Sequence, residues 1–489
     1  MAVNDRAPAH PLDPAADRPP RWAVAADGLV FVLLAGALFT ATAGRTLELA
    51  VGQIVLPSEA KWLFAAIALL VIRHVAHPRP GLTATLRGWR DGLRERPHAA
   101  HALRAFIVTR PWVLFIAYFA VVTFGYADKV GFTLSRDPLA NLPARFDAGW
   151  YGDIALDGYD WDQQFGRQRN IAFFPAMPML MRPVGAFLGM NAPALPRDKR
   201  MLRALWAGVI VSLAAFAWAL YYLSRLGALL SGDEAAAATP LLLAAYPFAV
   251  FFSAPYTESI FLLGSVGAFF HFHRGEWLRA SAFGLLAGLS RPNGCLVSIP
   301  LAILALEPLW TARQGLAADL RAAARPLATR LAAAAMPGVG MLIFTAYLYW
   351  LTGVWLAWAR MHGAWGRTWG TGPVAQGWEW LTTEGLMPVF QGVPFDTLNT
   401  LAVLFALAML WPVFRRLGLA YGTFVVVSLV PPIFAGGALS MGRVTSTLFP
   451  IFLALAAILP PRSVPGWAST FALLQGFVAA LFFTWRELF

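Results

Sequence analysis

The sequence is poor in charge and in cysteine, and each shortage excludes a class of protein. Only 13% of its 489 residues are charged, whereas soluble domains usually carry about 25%. A water-facing globule of this size would not stay soluble with so little charge. Cys295 is the only cysteine, which excludes an intrachain disulfide and a thiolate metal cluster. Secreted disulfide scaffolds, coiled coils and cytosolic nucleotide enzymes are therefore excluded.

Apolar residues dominate the composition. They make up 58% of the chain, and the mean hydropathy is +0.59. Since a membrane crossing takes about 20 apolar residues, the long apolar runs predict an all-α polytopic membrane protein. The predicted spans are 23–43, 62–78, 108–126, 202–223, 237–254, 257–273, 279–290, 294–306, 331–351, 397–414, 418–437, 444–460 and 466–485.

The basic residues set the predicted orientation. The formal net charge is 38 − 26 = +12, and the cations lie mostly in short loops between apolar runs. Cytoplasmic-loop bias and anionic lipid explain that placement better than nucleic acid. The arginine-rich stretch between the second and third spans therefore lies in the cytoplasm with the N-terminus. Residues 127–172 then face outward.

Two of the predicted spans are too short to cross a membrane alone. The segments 279–290 and 294–306 are separated by Arg291-Pro292-Asn293-Gly294, and they are interpreted as two half-length helices that return the chain to the side it left. This reversal also keeps the basic loop 307–330 inside. The total is then about 13 spans, with the termini on opposite sides.

The predicted organisation has three parts. Residues 1–21 form a disordered cytoplasmic tail, and residues 22–107 form two transmembrane helices and the basic loop. Residues 108–489 form the catalytic membrane domain. Two outward segments, 127–200 and 352–396, are longer than plain connectors; the second is rich in tryptophan, which fits an interface anchor or a surface for stacking on sugars.

The first outward segment carries the strongest chemical signal. Asp147, Asp153, Asp157, Asp160 and Asp162 share it with aromatic residues that include Trp150 and Tyr151. Interleaved carboxylates and rings suit a carbohydrate, although a solvated acidic loop would have the same composition. Asp147 lies nearest the preceding span, at the membrane surface, and is the candidate general base.

Several ordered blocks of this sequence resemble the PIG-V-like mannosyltransferases, which are polytopic glycosyltransferases of the GT-C class. The resemblance covers roughly residues 110–460. The blocks are Arg145-Phe146-Asp147-Ala148-Gly149-Trp150-Tyr151, Gly158-Tyr159, Asn170 to Pro175 with Pro178, Phe248 to Ser259 (FAVFFSAPYTES), Leu289 to Gly294 (LSRPNG), and Gly442-Arg443 with Phe449-Pro450.

The resemblance implies a GT-C-like bundle and a sugar transfer from a polyprenyl-phosphate donor. The expected sugar is mannose, and the expected acceptor is a glycolipid or glycan that is membrane-associated or extracytoplasmic. The family's first-loop aspartate corresponds to Asp147, the base that deprotonates the acceptor hydroxyl before in-line attack with inversion. The long outward loops predict a site on the extracytoplasmic face. The preference for arginine over lysine and the frequent alanine indicate a GC-rich bacterium, and hence a bacterial inner membrane.

Arginines are the candidates for binding the donor phosphate. Arg291 lies in an apolar stretch, where an arginine costs roughly 2.5–3.5 kcal/mol at a helix centre; pairing with Glu258 is the alternative to phosphate binding. Arg443 opens a span on the outer side, where snorkelling to the headgroups is the alternative. Arg145 is the third candidate.

Sugar or acceptor binding is assigned to Trp150, Tyr151, Tyr256 and Glu258. Glu258 begins a span on the outer side, and bracing an arginine is its favoured alternative. The first-loop acids would suit a divalent cation held with a lipid phosphate, but no ligand spacing demands one, so no metal site or cofactor is predicted. The expected partners are thus the lipid-linked donor, the acceptor and membrane lipid.

Two other functional classes fit part of the sequence. A transporter or flippase of a lipid-linked sugar shares the hydrophobicity, the intramembrane arginine and the acidic loop. It predicts a polar path across the whole membrane, whereas the polar groups here gather at the outer face. A noncatalytic scaffold predicts that loss of the Asp147 carboxylate has no effect.

Overall fold

A computed structural model describes residues 20–43, 46–49, 52–55, 57–78, 85, 88, 91–92, 95–311, 320–366, 394–436 and 440–486. Most of the predicted N-terminal tail and the tryptophans of the second outward segment beyond Trp365 lie outside these residues. The described part of the chain forms two compact units, residues 1–100 and 101–489.

Helices make up almost all of the described structure, which confirms the predicted all-α class. They are α1 (Arg21–Ala43), α2 (Glu59–Ala76), α3 (Pro97–Ile107), α4 (Arg110–Phe124), α5 (Ala148–Asp157), α6 (Ala176–Phe187), α7 (Arg197–Ser231), α8 (Asp233–Ala245), α9 (Glu258–His273), α10 (Trp277–Ser290), α11 (Ser298–Thr311), α12 (Leu320–Thr352), α13 (Ala357–Met361), α14 (Pro394–Leu417), α15 (Leu419–Gly436), α16 (Met441–Ser446), α17 (Phe449–Ile458) and α18 (Val464–Phe483). Short 3₁₀ helices are Asn170–Ala172, Pro247–Ser253, Pro292–Val297, His362–Trp365 and Pro461–Ser463. A small antiparallel hairpin joins β1 (Thr46–Leu49) to β2 (Gly52–Val55), with Thr46 opposite Val55.

The predicted apolar spans fall on helical segments, but many of those segments are short. By length and composition, six described helices can cross a membrane, or seven if one bent pair counts as a single span. The predicted span 444–460, for example, is divided between α16 and α17. The exact number of about 13 crossings therefore stays a prediction.

The first unit is held by a buried ion pair between its two long helices. Arg73 on α2 lies with its Nε 2.8 Å from Asp27 Oδ1 on α1, and both side chains are almost fully buried. The Asp27 carboxylate also accepts a hydrogen bond from the Thr85 hydroxyl, 2.5 Å away. Because a buried charge needs a partner, this pair fixes how α1 packs on α2.

Helix α9 lies at the centre of the second unit. Its residues from Glu258 to Phe272 are all buried, as expected for a helix that is apolar on every side. It packs between α7 and α10. Glu258 is the only charged residue in that buried stretch, and it lies at the N-terminal end of the helix.

A sharp bend precedes α9 and sets the position of its first turn. Helix α8 and Pro247–Ser253 meet at 82°, because Pro247 has no N–H for a continuing helix and keeps the residue before it extended. The carbonyl oxygens freed by the break accept hydrogen bonds from buried side chains. Arg110 donates to Ala244 and Ala249, both at 2.6 Å, and Gln475 Nε2 donates to Ala244 at 2.9 Å.

The chain reverses between α10 and α11, as the sequence predicted. The Arg330 guanidinium of α12 lies 5.7 Å from the Trp277 ring centroid of α10, and Gly288 lies against Pro337, so α10 runs parallel to α12. Ser298 accepts the N–H of Gly338 at 3.0 Å, and α11 ends shortly before α12 begins. Helix α11 is therefore antiparallel to α12. With Pro292–Val297, the second arm reaches the length of a full span, which is longer than predicted.

The first and second outward segments pack on each other through a small apolar cluster. Ile171 and Phe174 of the first segment pack with Phe344 of α12 and with Ala357 and Met361 of the second. The Phe174 and Trp358 rings meet edge-on at 5.3 Å. This contact keeps the loop after α5 close to the end of α10.

The close approach of α10 to α12 gives a direct test of the packing. A Cβ at Gly288 would overlap the main-chain oxygen of Pro337, so Gly288→Ala is expected to lower the free energy of unfolding by about 1–3 kcal/mol. Thermal unfolding of the purified protein in detergent measures the change. Gly466→Ala is the matched control, since a Cβ there meets nothing within 4 Å. Equal midpoints for the two variants would contradict this packing.

Candidate functional site

Four charged side chains from separate segments form a group that we call the charge cluster: Asp147, Glu258, Arg291 and Arg443. Arg443 is shared between both acids, with Nη1 2.7 Å from Asp147 Oδ2 and Nε 2.9 Å from Glu258 Oε1. Arg291 Nη2 lies 3.6 Å from the same Glu258 oxygen. Two carboxylates face two guanidinium groups, so the formal charge of the cluster is zero.

Burial differs sharply among the members of the charge cluster. The Glu258 side chain is 0% exposed, Arg443 11%, Arg291 13% and Asp147 21%. A carboxylate without contact to water needs compensating charge, and Glu258 receives it from both arginines. Asp147 is the member that a molecule from solvent reaches most easily.

Two buried atoms of the charge cluster lack a hydrogen-bond partner among the described residues. They are Nη1 of Arg291 and Oε2 of Glu258. A buried polar atom without a hydrogen-bond partner costs about 1–3 kcal/mol, and more when it belongs to a charged group. The Arg291 donor is therefore available to an anionic or hydroxyl group that enters the site.

Aromatic rings surround the guanidinium groups. The Arg443 guanidinium carbon lies 4.7 Å from the Tyr256 ring centroid and 5.4 Å from that of Phe251. Arg291 lies 5.6 Å from the Phe261 ring centroid. Ring faces attract cations more strongly where water is excluded, so these contacts help to keep the arginines in a buried place.

The turn before α5 directs Asp147 towards Arg443. Phe146 has φ 44°, a left-handed conformation that is rare for a bulky residue. The Tyr256 hydroxyl accepts the Asp147 N–H at 3.1 Å and donates to the Arg145 carbonyl at 3.2 Å. It therefore binds the main chain on both sides of Phe146.

Helix α16 presents Arg443 from a similarly constrained start. Ser440 has φ 60°, and the Gly442 N–H donates to Asn399 Oδ1 at 2.7 Å. A Cβ at position 442 would overlap the Phe248 ring. Glycine before Arg443 therefore permits the close approach that brings the guanidinium to the two acids.

The structure corrects the expectation for Arg145, which was predicted to bind the donor phosphate. Its guanidinium is fully buried and donates to the carbonyl oxygens of Asn141 (2.8 Å), Ala144 (2.6 Å) and Phe483 (2.6 Å). The Tyr126 hydroxyl is a fourth partner, at 3.3 Å. Because its donors are used by the main chain, Arg145 holds the loop to the end of α18 and does not face the charge cluster.

The aromatic candidates divide into one accessible and two buried rings. Trp150 is half-buried and stacks on Phe173 with centroids 5.7 Å apart. Tyr151 is 4% exposed and Tyr256 0%, so neither offers a free ring face to a sugar. Burial raises the pKa of both phenols above the ordinary value, so they stay protonated and act as hydrogen-bonding groups.

Four other acids of the segment predicted to face outward, Asp153, Asp157, Asp160 and Asp162, pair with arginines away from the charge cluster. Asp153 and Asp157 contact Arg197 at 2.5 and 2.9 Å, and Arg169 pairs with Asp160 and Asp162. Within the described residues, no group of three or more His, Cys, Asp or Glu side chains has the spacing of a metal site.

Two residues that shape the site were not predicted from the sequence. Asn399 lies within the predicted span 397–414 and orients α16. The signal that could have indicated it was a polar residue inside an apolar run. Phe146 was noted only as part of a motif. Neither the phenylalanine nor its neighbours in the sequence indicate a left-handed backbone conformation. All four members of the charge cluster were among the predicted site residues.

These features define a helical multi-pass membrane protein with a buried acid–arginine site. Residues 133–354 match the family described as Mannosyltransferase (PIG-V), which confirms the predicted resemblance. The matched range contains Asp147, Glu258 and Arg291, whereas Arg443 lies beyond it. The match makes this part of the chain similar to the mannosyltransferases of that family.

Comparison with solved structures finds a similar chain in the Archaeoglobus fulgidus oligosaccharyltransferase in complex with Zn and sulfate. The TM-score is 0.39 and the identity 12%, over 77% of this chain and 53% of that one. This chain therefore spans about half the length of that relative. A comparison with curated proteins finds no match.

Removal of the central carboxylate tests the charge balance of the cluster. Glu258→Gln leaves Arg291 and Arg443 with less compensating charge, so the free energy of unfolding is expected to fall by about 3–5 kcal/mol. Chemical unfolding in detergent measures this loss. Glu234→Gln, at an exposed position on α8, is the control and is expected to be neutral. A Glu258→Gln protein as stable as its control would show that Glu258 does not hold the arginines.

Proposed function

We propose that this protein is an inverting glycosyltransferase that moves a sugar from a polyprenyl-phosphate donor to a membrane-associated or extracytoplasmic acceptor. The expected sugar is mannose. The contact of 2.7 Å between Asp147 and Arg443 carries the proposal, because it puts a solvent-reachable carboxylate beside a buried cation. Residues 108–489 are proposed as the catalytic membrane domain.

Asp147 is the base in this reaction. Its carboxylate accepts the proton of the acceptor hydroxyl while the hydroxyl oxygen forms a bond to the anomeric carbon of the donor sugar. The bond between that carbon and the phosphate oxygen breaks, and its electron pair leaves with the polyprenyl phosphate. A single in-line displacement inverts the configuration at the anomeric carbon.

Arg291 and Arg443 are the proposed phosphate ligands. Arginine suits this task because its planar, permanently charged fork matches the oxygens of a phosphate. Arg291 supports the role with its unpaired buried Nη1. Glu258 braces both guanidinium groups from behind, so that the charge that develops on the leaving phosphate meets cations already in position.

The charge of the cluster changes in step with the charge of the donor phosphate. Asp147 becomes neutral when it takes the proton, which leaves two arginines and one glutamate with a net charge of +1. The donor phosphodiester carries one negative charge and the polyprenyl phosphate that leaves carries two, so the net charge of +1 offsets the one negative charge that develops as the bond breaks. Trp150, half-buried beside Asp147, is the proposed ring for the sugar or acceptor.

A comparison of two aspartate variants tests the base. Release of polyprenyl phosphate from polyprenyl-phosphate mannose, with a crude lipid extract as acceptor, is expected to fall by about 10²–10⁴-fold in Asp147→Asn. Asp153→Asn is the matched control, since Asp153 lies on the adjoining α5 and pairs with Arg197 instead. Parallel assays with EDTA measure any requirement for a divalent cation.

The possible outcomes separate the reaction from the residue. Equal release by wild type and Asp147→Asn would keep the transferase and reject Asp147 as its base. No release from several sugar donors by folded wild-type protein would reject the transferase. Translocation of the lipid-linked sugar in liposomes would then test the transporter alternative.

The proposed location of the site is the extracytoplasmic face of a bacterial inner membrane. In a Cys295→Ala background, Gln168→Cys in the first outward segment is expected to react with a membrane-impermeant maleimide in intact cells. Arg96→Cys in the basic loop is expected to react only after the membrane is permeabilised. Both positions are exposed, so exposure alone does not distinguish them, and the reverse pattern would overturn the orientation.

A further inference from the structure

Tyr256 is a buried residue that contacts both partners of the Asp147–Arg443 pair. Its hydroxyl accepts the N–H of Asp147 at 3.1 Å, and its ring lies 4.7 Å from the Arg443 guanidinium carbon. The side chain is 0% exposed. One side chain therefore fixes the main chain of the carboxylate and supports the cation that the carboxylate contacts.

The main chain that Tyr256 holds is strained. Phe146, with φ 44°, occupies a conformation that costs a non-glycine residue about 1–3 kcal/mol and persists only where the surroundings impose it. The Tyr256 hydroxyl bonds to the residue before it and to the residue after it. On the other side, the Phe146 ring packs against Phe482 and Trp485 at 5.6 and 4.6 Å.

The ring contacts and the hydrogen bonds of Tyr256 hold different parts of the turn. The ring contacts keep the Phe146 side chain in place but leave the Asp147 N–H without a partner. The Tyr256 hydroxyl is the partner that fixes the direction in which the next residue leaves the turn. A relaxed φ at Phe146 would rotate Asp147 away from Arg443.

We propose that Tyr256 is a positioning residue, which clamps the strained Phe146 turn so that the Asp147 carboxylate faces the reacting hydroxyl and Arg443. The proposal rests on the proposed function, in which Asp147 is the base. It replaces the expected role of Tyr256 in sugar binding, because a ring with no exposed surface offers no face to a sugar. Tyr256 thus acts through Asp147 and does not touch substrate.

Tyr256→Phe removes the clamp and keeps the ring beneath Arg443. The expected result is a fall in kcat of about 10–100-fold, since small displacements of a reacting group have effects of this size. The KM for the polyprenyl-phosphate donor is expected to stay unchanged, because Arg443 keeps its ring support. Tyr256→Leu removes the ring as well and is expected to raise the donor KM in addition to lowering kcat.

Tyr421→Phe is the matched control. Tyr421 is also buried, and its hydroxyl makes one hydrogen bond of 2.8 Å to His273 Nε2, far along α9 from the charge cluster. The loss of a buried hydroxyl is therefore common to both variants. Kinetic constants are measured on the monodisperse fraction of each protein, and unfolding midpoints are recorded alongside them.

The kinetics of the Tyr256 and Tyr421 variants either support or overturn the positioning role of Tyr256. A low kcat with an unchanged donor KM in Tyr256→Phe, and wild-type kinetics in Tyr421→Phe, would support it. Wild-type kcat in Tyr256→Phe, the same loss in both variants, or no monodisperse Tyr256→Phe protein would overturn it and leave the proposed function in place. A folded wild-type protein without transferase activity would overturn both.

Discussion

The arrangement of the second unit depends on one buried carboxylate. Glu258 is 0% exposed at the start of a helix that is buried on every side, and a lone ionised group there would be strongly destabilising. Two arginines compensate it, and both come from places where the helical chain is interrupted. Arg291 follows the end of α10, and Arg443 lies on the short helix α16. The need to neutralise Glu258 thus fixes where those interruptions meet.

Interrupted helices recur around the site, and proline accounts for most of them. Pro247 and Pro292 each follow a helix end, and Pro450 is the second residue of α17. Breaks within an apolar bundle leave main-chain groups without partners, which is tolerated only where other protein groups bind them. Arg110 and Gln475 do this at the bend after α8. The same requirement explains why fully buried polar side chains occur far from the charge cluster in an otherwise apolar core.

Apolar runs and charged loops were sufficient to predict the helices and the reversal at Arg291, because length and hydropathy are properties of local sequence. Asp147, Glu258, Arg291 and Arg443 were also predicted, because they lie in the blocks that resemble the PIG-V-like mannosyltransferases. Their mutual pairing was only partly predicted: the Arg291–Glu258 pair was considered, but the sharing of Arg443 was not. Arg145 was misassigned because main-chain carbonyl partners have no sequence signature. For the same reason, the bend of 82° after α8 and the left-handed Phe146 were beyond sequence reasoning.

The two carboxylates of the charge cluster share one arginine but differ in access, and this difference supports their proposed roles. Glu258 has no exposed surface and is paired with two cations. An acceptor hydroxyl would therefore reach it only by displacing an arginine. Asp147 keeps 21% of its side-chain surface exposed and adjoins the half-buried Trp150. A base must reach within hydrogen-bonding distance of the proton it removes. Access to solvent, rather than distance from Arg443, therefore supports the proposal that Asp147 is the base and that Glu258 is the counter-charge of both arginines.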